Sequence, residues 1–311
     1  MTTGTTKARP RAEHHGQDSN RVADKNDEEE DSGAVAPEDD VPMSFFDHLN
    51  ELRKRLVRSA LGIVLAFVGC YIFVGELRAI MLVPFYESWV SVGLEGQAQL
   101  QALSALETFL TDLRIAVIVA IFIAGPIVFY QLWMFIAPGL YRSERNLVVP
   151  FVATSAVMFL GGGVFCYYFV VPVATDFFLQ YSLDTAAGDA AVSITPNFTY
   201  QSYIQYETRL LLGFGAMFEF PLGVYFLSKA GVITHKTLLR HWKVMTLIFF
   251  IAGALLTPPE PVTQVLMAAP MIGLFWASVG VAFIVSKDER ERVERLETEL
   301  AEMDTDASDE D

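Results

Sequence analysis

The sequence predicts an all-α membrane protein with six transmembrane helices. Of its 311 residues, 52% are hydrophobic, and they gather into runs long enough to cross the ~30 Å hydrocarbon core of a bilayer. The basic residues concentrate in alternate connections between those runs. Two acidic tails account for nearly all of the net charge of −15, so the part between them is close to neutral.

This charge distribution divides the chain into three parts. Residues 1–42 carry 11 acidic and 5 basic side chains, which predicts a disordered tail without a cleavable signal peptide. Residues 43–286 form the predicted membrane domain, and residues 287–311 form a second acidic tail. No basic face that would indicate nucleic-acid binding is present.

The apolar runs place the elements in order. A short amphipathic helix over 44–52 is expected on the membrane surface, before a first span at 59–75. The connection 76–108 is partly amphipathic, which predicts helical caps on the far side. The other spans are expected at 113–136, 147–179, 210–227, 244–257 and 262–285, with prolines at 126, 172, 221 and 270 interrupting them. The fifth span is short, so either it begins earlier, at Trp242, or the bilayer thins around it.

The basic residues also predict the orientation. Fourteen Lys and Arg residues lie on the side of the two termini, against three on the other side, which are Arg78, Arg114 and Arg209. The positive-inside rule therefore predicts a multi-pass protein of the cytoplasmic (inner) membrane with both termini in the cytoplasm. Aromatic residues at the end of the second run, Trp133, Phe135 and Tyr141, are typical of a membrane-interface belt.

Little in the sequence indicates catalysis. Cys70 and Cys166 lie in apolar runs, and no nucleophile motif, metal-ligand cluster or phosphate-binding glycine loop occurs, so neither an enzyme nor a cofactor is predicted. The strongest single signal is Glu219, near the middle of the fourth span. A carboxyl group at bilayer depth indicates either a functional site or a structural hydrogen bond between helices.

Several motifs together resemble one family. They are HLNELRKRL (48–56), YQLW with FIAPGLY and the Glu-Arg pair 144–145, MFEFP (217–221) and LLTPPEP (255–261). In order and spacing they resemble TatC, the multispanning core of the twin-arginine protein translocase, over roughly Met43 to Val285. The resemblance implies a receptor for twin-arginine signal peptides that exports folded proteins, driven by the proton gradient. It also implies TatA- and TatB-type partners and a homo-oligomer within the complex.

The resemblance further implies a signal-peptide site. Glu51 and Glu144 match carboxylates that receive the two arginines of the peptide, and Arg53 and Phe135 match neighbouring positions of that site. A guanidinium presents a planar fork to a carboxylate, which lysine cannot reproduce. From the residues alone, Glu51 and Glu144 could equally neutralise nearby arginines.

Three further positions match residues that function in the family. Glu219 and Gln264 match contacts with partner subunits, and Pro84 matches a functional residue of the first outer loop. Two other functions stay open from the residues. One is a secondary transporter that uses Glu219 as an intramembrane proton or ion site. The other is a scaffold that only assembles other subunits.

Overall fold

The computed structural model describes residues 45–94, 97–136, 148–186, 198–256 and 261–308, and these residues form a set of packed helices. In chain order they are α1 Phe45–Ile72, α2 Val74–Ser91, α3 Ala105–Ile136, α4 Val148–Phe165, α5 Val171–Ala186, α6 Tyr200–Phe218, α7 Phe220–Lys229, α8 His235–Arg240, α9 Trp242–Leu256 and α10 Pro261–Ser308. The predicted acidic tail 1–42, the loop 137–146 with Glu144, and the turn 257–260 lie outside the described residues.

The helices agree with the predicted fold class. Five stretches of the described residues are long and apolar enough to cross a membrane: Phe46–Ile72, Ala105–Ile136, Val149–Asp184, Tyr200–Lys229 and Gln264–Lys287. The fifth predicted span corresponds to the shorter apolar helix Trp242–Leu256. It does begin at Trp242, but its 15 residues reach only about 22 Å, less than the ~30 Å core.

The start of the membrane domain differs from the prediction. The residues expected to form a separate surface helix are instead the first turns of α1, which runs unbroken for 28 residues. The reason is local, since the junction between the two predicted elements contains neither Gly nor Pro and is rich in Leu and Arg, which favour helix. At the other end, α10 extends past residue 285, the predicted end of the sixth span, as far as Ser308.

The prolines act differently according to their surroundings. Before Pro172, which cannot donate a backbone hydrogen bond, the helix widens into a π-helical segment over Cys166–Val170. Near Pro221, a break at Glu219 separates α6 from α7. The predicted interruptions at Pro126 and Pro270 are wrong, because α3 and α10 continue through them.

Glycine allows α4 and α6 to approach closely. A Cβ atom on Gly162 would lie 2.6 Å from the backbone oxygen of Phe214 and 2.9 Å from the Phe218 side chain. No side chain fits there without moving α6. This contact fixes the part of α6 that precedes the break at Glu219.

Polar side chains attach α2 to the bundle at the end where α3 and α6 begin. Arg78 donates to both carboxylate oxygens of the buried Asp112, with 2.9 Å between Arg78 Nε and Asp112 Oδ1. The Tyr200 hydroxyl donates to the same Oδ1 at 2.8 Å. The hydrogen bonds that Arg78 donates to Asp112 raise the pKa of its guanidinium, so the cation stays charged. Asp112, on α3, accepts from α2 and α6 and so holds the three helices together.

Candidate functional site

Glu51 lies on α1 and is already bound to a cation of its own helix. Its Oε1 atom accepts from both Nε and Nη2 of Arg55, one helical turn later, with 2.9 Å from Nε. The Glu51 side chain is 20% exposed and the Arg55 side chain 14%. The second carboxylate oxygen, Oε2, is buried and has no hydrogen-bond partner among the residues that the structure describes. Half of this carboxylate is therefore unsatisfied, which is costly for a charged group.

An aromatic stack connects the start of α1 with the end of α3. The rings of His48 and Phe135 are 4.4 Å apart at their centroids and 22° from parallel. This stack holds the start of α1 beside Phe135. Glu51 lies three residues after His48, so it is on the same face of α1. Glu51 and Phe135, predicted to share a site, therefore lie on elements that meet.

The described contacts of Glu51 include neither of the other two predicted peptide-site residues, Arg53 and Glu144. Arg53 is exposed and takes no part in the Glu51 pair, a role that belongs to Arg55. Glu144 lies outside the described residues, so the structure gives no distance between its carboxylate and that of Glu51. Sequence reasoning missed Arg55 and His48 as members of this site, although their helical spacing from Glu51 gave a usable signal.

Trp133 is buried, although its sequence position suggested an interface residue. Its Nε1 donates to Ser155 Oγ at 2.9 Å, and its ring stacks on Phe151 with 4.9 Å between centroids. Both partners belong to α4. A buried indole with a satisfied N–H holds the end of α3 against α4, directly behind the Phe135 position.

Glu219 occupies the residue between α6 and α7. Its backbone N–H donates to Ala216 at 3.2 Å, and its carbonyl accepts from Gly223 at 2.9 Å. The half-buried carboxyl group interacts with the Ser155 side chain and the Phe159 backbone of α4, and its Oε1 is buried without a hydrogen-bond partner. Trp133, Ser155 and Glu219 thus form a polar connection across the apolar bundle.

Gln264 and Pro84 both have contacts within the chain. Gln264 Nε2 donates to the Phe250 carbonyl at 3.0 Å, which ties α10 to α9. Pro84 lies in the outer connection 76–108, where helical caps were predicted, and it is fully buried inside the helix α2. The apolar stretch around it packs against the core.

One buried acid was missed altogether. Glu207 on α6 is 0% exposed, and within the described part of the chain neither of its carboxylate oxygens has a hydrogen-bond partner. The predicted fourth span began three residues later, at Leu210, so Glu207 fell just outside it. The available signal was a single acidic residue three positions before an apolar run.

Comparison with known proteins agrees with these motifs. Residues 47–270 match the family "Sec-independent protein translocase protein (TatC)". The TatC protein of Helicobacter pylori is 38% identical over 239 residues, covering 77% of this chain and 88% of that protein. The TatC protein of Desulforapulum autotrophicum is 35% identical over 268 residues, covering 86% and 94%.

A solved structure is also similar. The crystal structure of the twin arginine translocase receptor TatC matches with a TM-score of 0.67 and 32% identity, covering 77% of this chain and 99% of that one. The helical fold, the order of its spans and the match over residues 47–270 lead to one conclusion: this chain belongs to the TatC family.

Proposed function

We propose that this chain is the twin-arginine signal-peptide receptor and core subunit of a translocase that exports folded proteins across the inner membrane. Family membership supports the class of function. The observation that carries the site is the state of Glu51, a carboxylate with one oxygen bound to a guanidinium and the other buried without a partner. The chain acts by binding, without catalysis or a cofactor.

Arg55 shows that the Glu51 carboxylate accommodates a guanidinium. A peptide arginine gains its planar two-point bond only if it displaces Arg55 from Oε1 while also reaching Oε2. Arg55 is therefore a placeholder that keeps Glu51 paired until a peptide arrives. Lysine gains less from the exchange, because an ammonium is a point charge without the fork.

Two consecutive arginines need two acceptors. In this proposal Glu144 is the second, Phe135 forms the apolar wall beside the first, and Arg53 contributes from the exposed face of α1. Support for Glu144 is its position in the family motif and the chemistry of a carboxylate in a basic connection.

Partner binding involves a different set of residues, near the break between α6 and α7 and on α9 and α10. We propose that Glu219 and Gln264 contribute to contacts with TatA- and TatB-type subunits, and that several copies of the chain assemble in the complex. Gln264 lies where α9 and α10 meet, and the exposed apolar side chains of the short helix α9 (Val244, Leu247, Ile248, Ile251 and Leu255) are available to a membrane helix. Pro84 would act indirectly, by shaping α2.

Peptide titration tests the receptor function. Purified protein in lipid nanodiscs is titrated with a fluorescent signal peptide that carries either Arg-Arg or Lys-Lys, and a twin-arginine preference is expected. Equal affinity for the two peptides contradicts the proposal and favours the alternative function, a scaffold that only assembles other subunits. The secondary transporter, suggested by the helix break at Glu219, would instead be supported by ion or proton flux into liposomes that depends on Glu219.

A further inference from the structure

The fully buried Glu207 has no role in the proposed peptide site. It lies in the second turn of α6, among residues packed against the π-helical segment and α10. Its burial is complete, and both oxygens are without hydrogen-bond partners. Burying an isolated ionised carboxylate is far more costly than burying its neutral form, so this position requires a compensating group or a proton.

No cation among the described residues compensates the Glu207 carboxylate. The titratable groups that interact with Glu207 are Cys166 and Tyr167 of the π-helical segment, and Tyr203 and Tyr206 of its own helix. Within the described residues none of these interacting groups carries positive charge. Glu207 is therefore held as the neutral acid, with an O–H that needs an acceptor and a carbonyl oxygen that can accept a bond.

Two tyrosines of α6, Tyr203 and Tyr206, also have buried hydroxyl groups that side-chain hydrogen bonds do not satisfy among the described residues. The Tyr206 hydroxyl has no partner there, and the Tyr203 hydroxyl interacts with the Phe85 backbone. Each hydroxyl can donate and accept, so a bridging water can connect the acid with these phenols. Tyr167 differs, because its hydroxyl already donates to the Ile80 carbonyl at 2.7 Å.

Tyr203 and Tyr206 also line a cavity. It measures about 360 Å³ and lies where α5 ends and α6 begins. Besides the two tyrosines, its polar lining consists of the hydroxyl residues Thr175, Ser182, Thr199 and Ser202. A water occupies ~30 Å³ in the liquid, so this volume admits several waters among polar partners. Ser202 is exposed, which connects the cavity with the aqueous phase.

We propose that Glu207 is an internal proton-binding site that exchanges its proton with water at this end of the bundle through the hydroxyl-lined cavity. The proton leaves the carboxyl group, passes along Tyr203, Tyr206 and the cavity hydroxyls or waters, and returns by the same route. No redox partner is needed. The site is separate from Glu51 and does not depend on peptide binding.

Infrared spectroscopy of the full chain in lipid nanodiscs tests this directly. The spectrum of the wild type minus that of Glu207→Gln is expected to show the C=O band of a protonated carboxyl group. That band should shift to lower frequency in D2O. If Glu207→Gln does not fold, subtraction of Glu207→Asp serves instead, because the shorter acid keeps a band at a changed frequency.

Blocking the mouth of the cavity tests the route. Ser202→Trp is expected to slow the D2O shift, whereas Gln201→Trp, on the neighbouring exposed residue outside the cavity lining, is the matched control and should not. Three results would overturn the proposal: no carboxyl band in the difference spectrum, a band that does not shift in D2O, or equal exchange rates in the two Trp variants.

Discussion

Replacing Arg55 by Gln should strengthen binding of a twin-arginine peptide. The variant leaves Glu51 unpaired, so the peptide no longer has to displace a guanidinium. The Glu51 and Arg55 side chains are 20% and 14% exposed, so the energy of their ion pair is expected between that of an exposed pair and that of a buried charged hydrogen bond. An exposed ion pair is worth about 0–1 kcal/mol and a hydrogen bond to a charged group about 1.5–3 kcal/mol. A gain of about 1 kcal/mol corresponds to roughly fivefold tighter binding.

Fluorescence anisotropy with a labelled peptide and protein in nanodiscs measures this change. Lys54→Gln is the matched control, because it removes one positive charge from a neighbouring exposed residue that takes no part in the Glu51 pair. Its affinity should stay close to that of the wild type. If Arg55→Gln binds more weakly than Lys54→Gln, Arg55 positions the carboxylate for the peptide, and the placeholder role is refuted.

Three further predictions concern packing, the polar connection and topology. Gly162→Ala should lower stability by about 1–3 kcal/mol in thermal unfolding, since its Cβ meets the α6 backbone, while Gly161→Ala, with nothing within 4 Å, should be neutral or stabilising. If the Glu219 carboxyl acts only as a hydrogen-bond partner, Glu219→Ala should lower the thermal stability in detergent and Glu219→Gln should restore it. If Glu219→Ala is stable but associates more weakly with partner subunits, Glu219 has the functional role instead. Reporter fusions after Lys229 should report the cytoplasm and those near Gly188 the opposite side, and the reverse pattern would overturn the orientation.

The spans were predictable because hydropathy is a local property of the chain. Their boundaries were not, and two of the errors share a cause. The second span was expected to begin at Leu113, directly after the buried Asp112, and the fourth at Leu210, three residues after the buried Glu207. Hydropathy treats an acid as the end of a span. Asp112 can be buried because Arg78 and Tyr200 donate hydrogen bonds to it. Both partners are too distant in sequence to enter a hydropathy window around Asp112.

The candidate site was predictable to a similar depth. The family motif identified Glu51, and helical spacing could have added Arg55 and His48. The His48–Phe135 stack joins residues 87 positions apart, so only the packing of α1 on α3 reveals it. Glu219 was expected from its charge, but its link through Ser155 to Trp133 depends on three helices meeting.

The most direct test of the receptor assignment compares peptide affinities of the wild type, Glu51→Gln and Glu144→Gln. Each variant keeps the shape of the side chain and removes the charge that a guanidinium needs. Loss of a charge-assisted bond worth about 1.5–3 kcal/mol should weaken binding of the Arg-Arg peptide by roughly ten- to a hundredfold in either variant. The Lys-Lys peptide, weak from the start, should lose less. Wild-type affinity for the Arg-Arg peptide in both variants would contradict the two-carboxylate receptor.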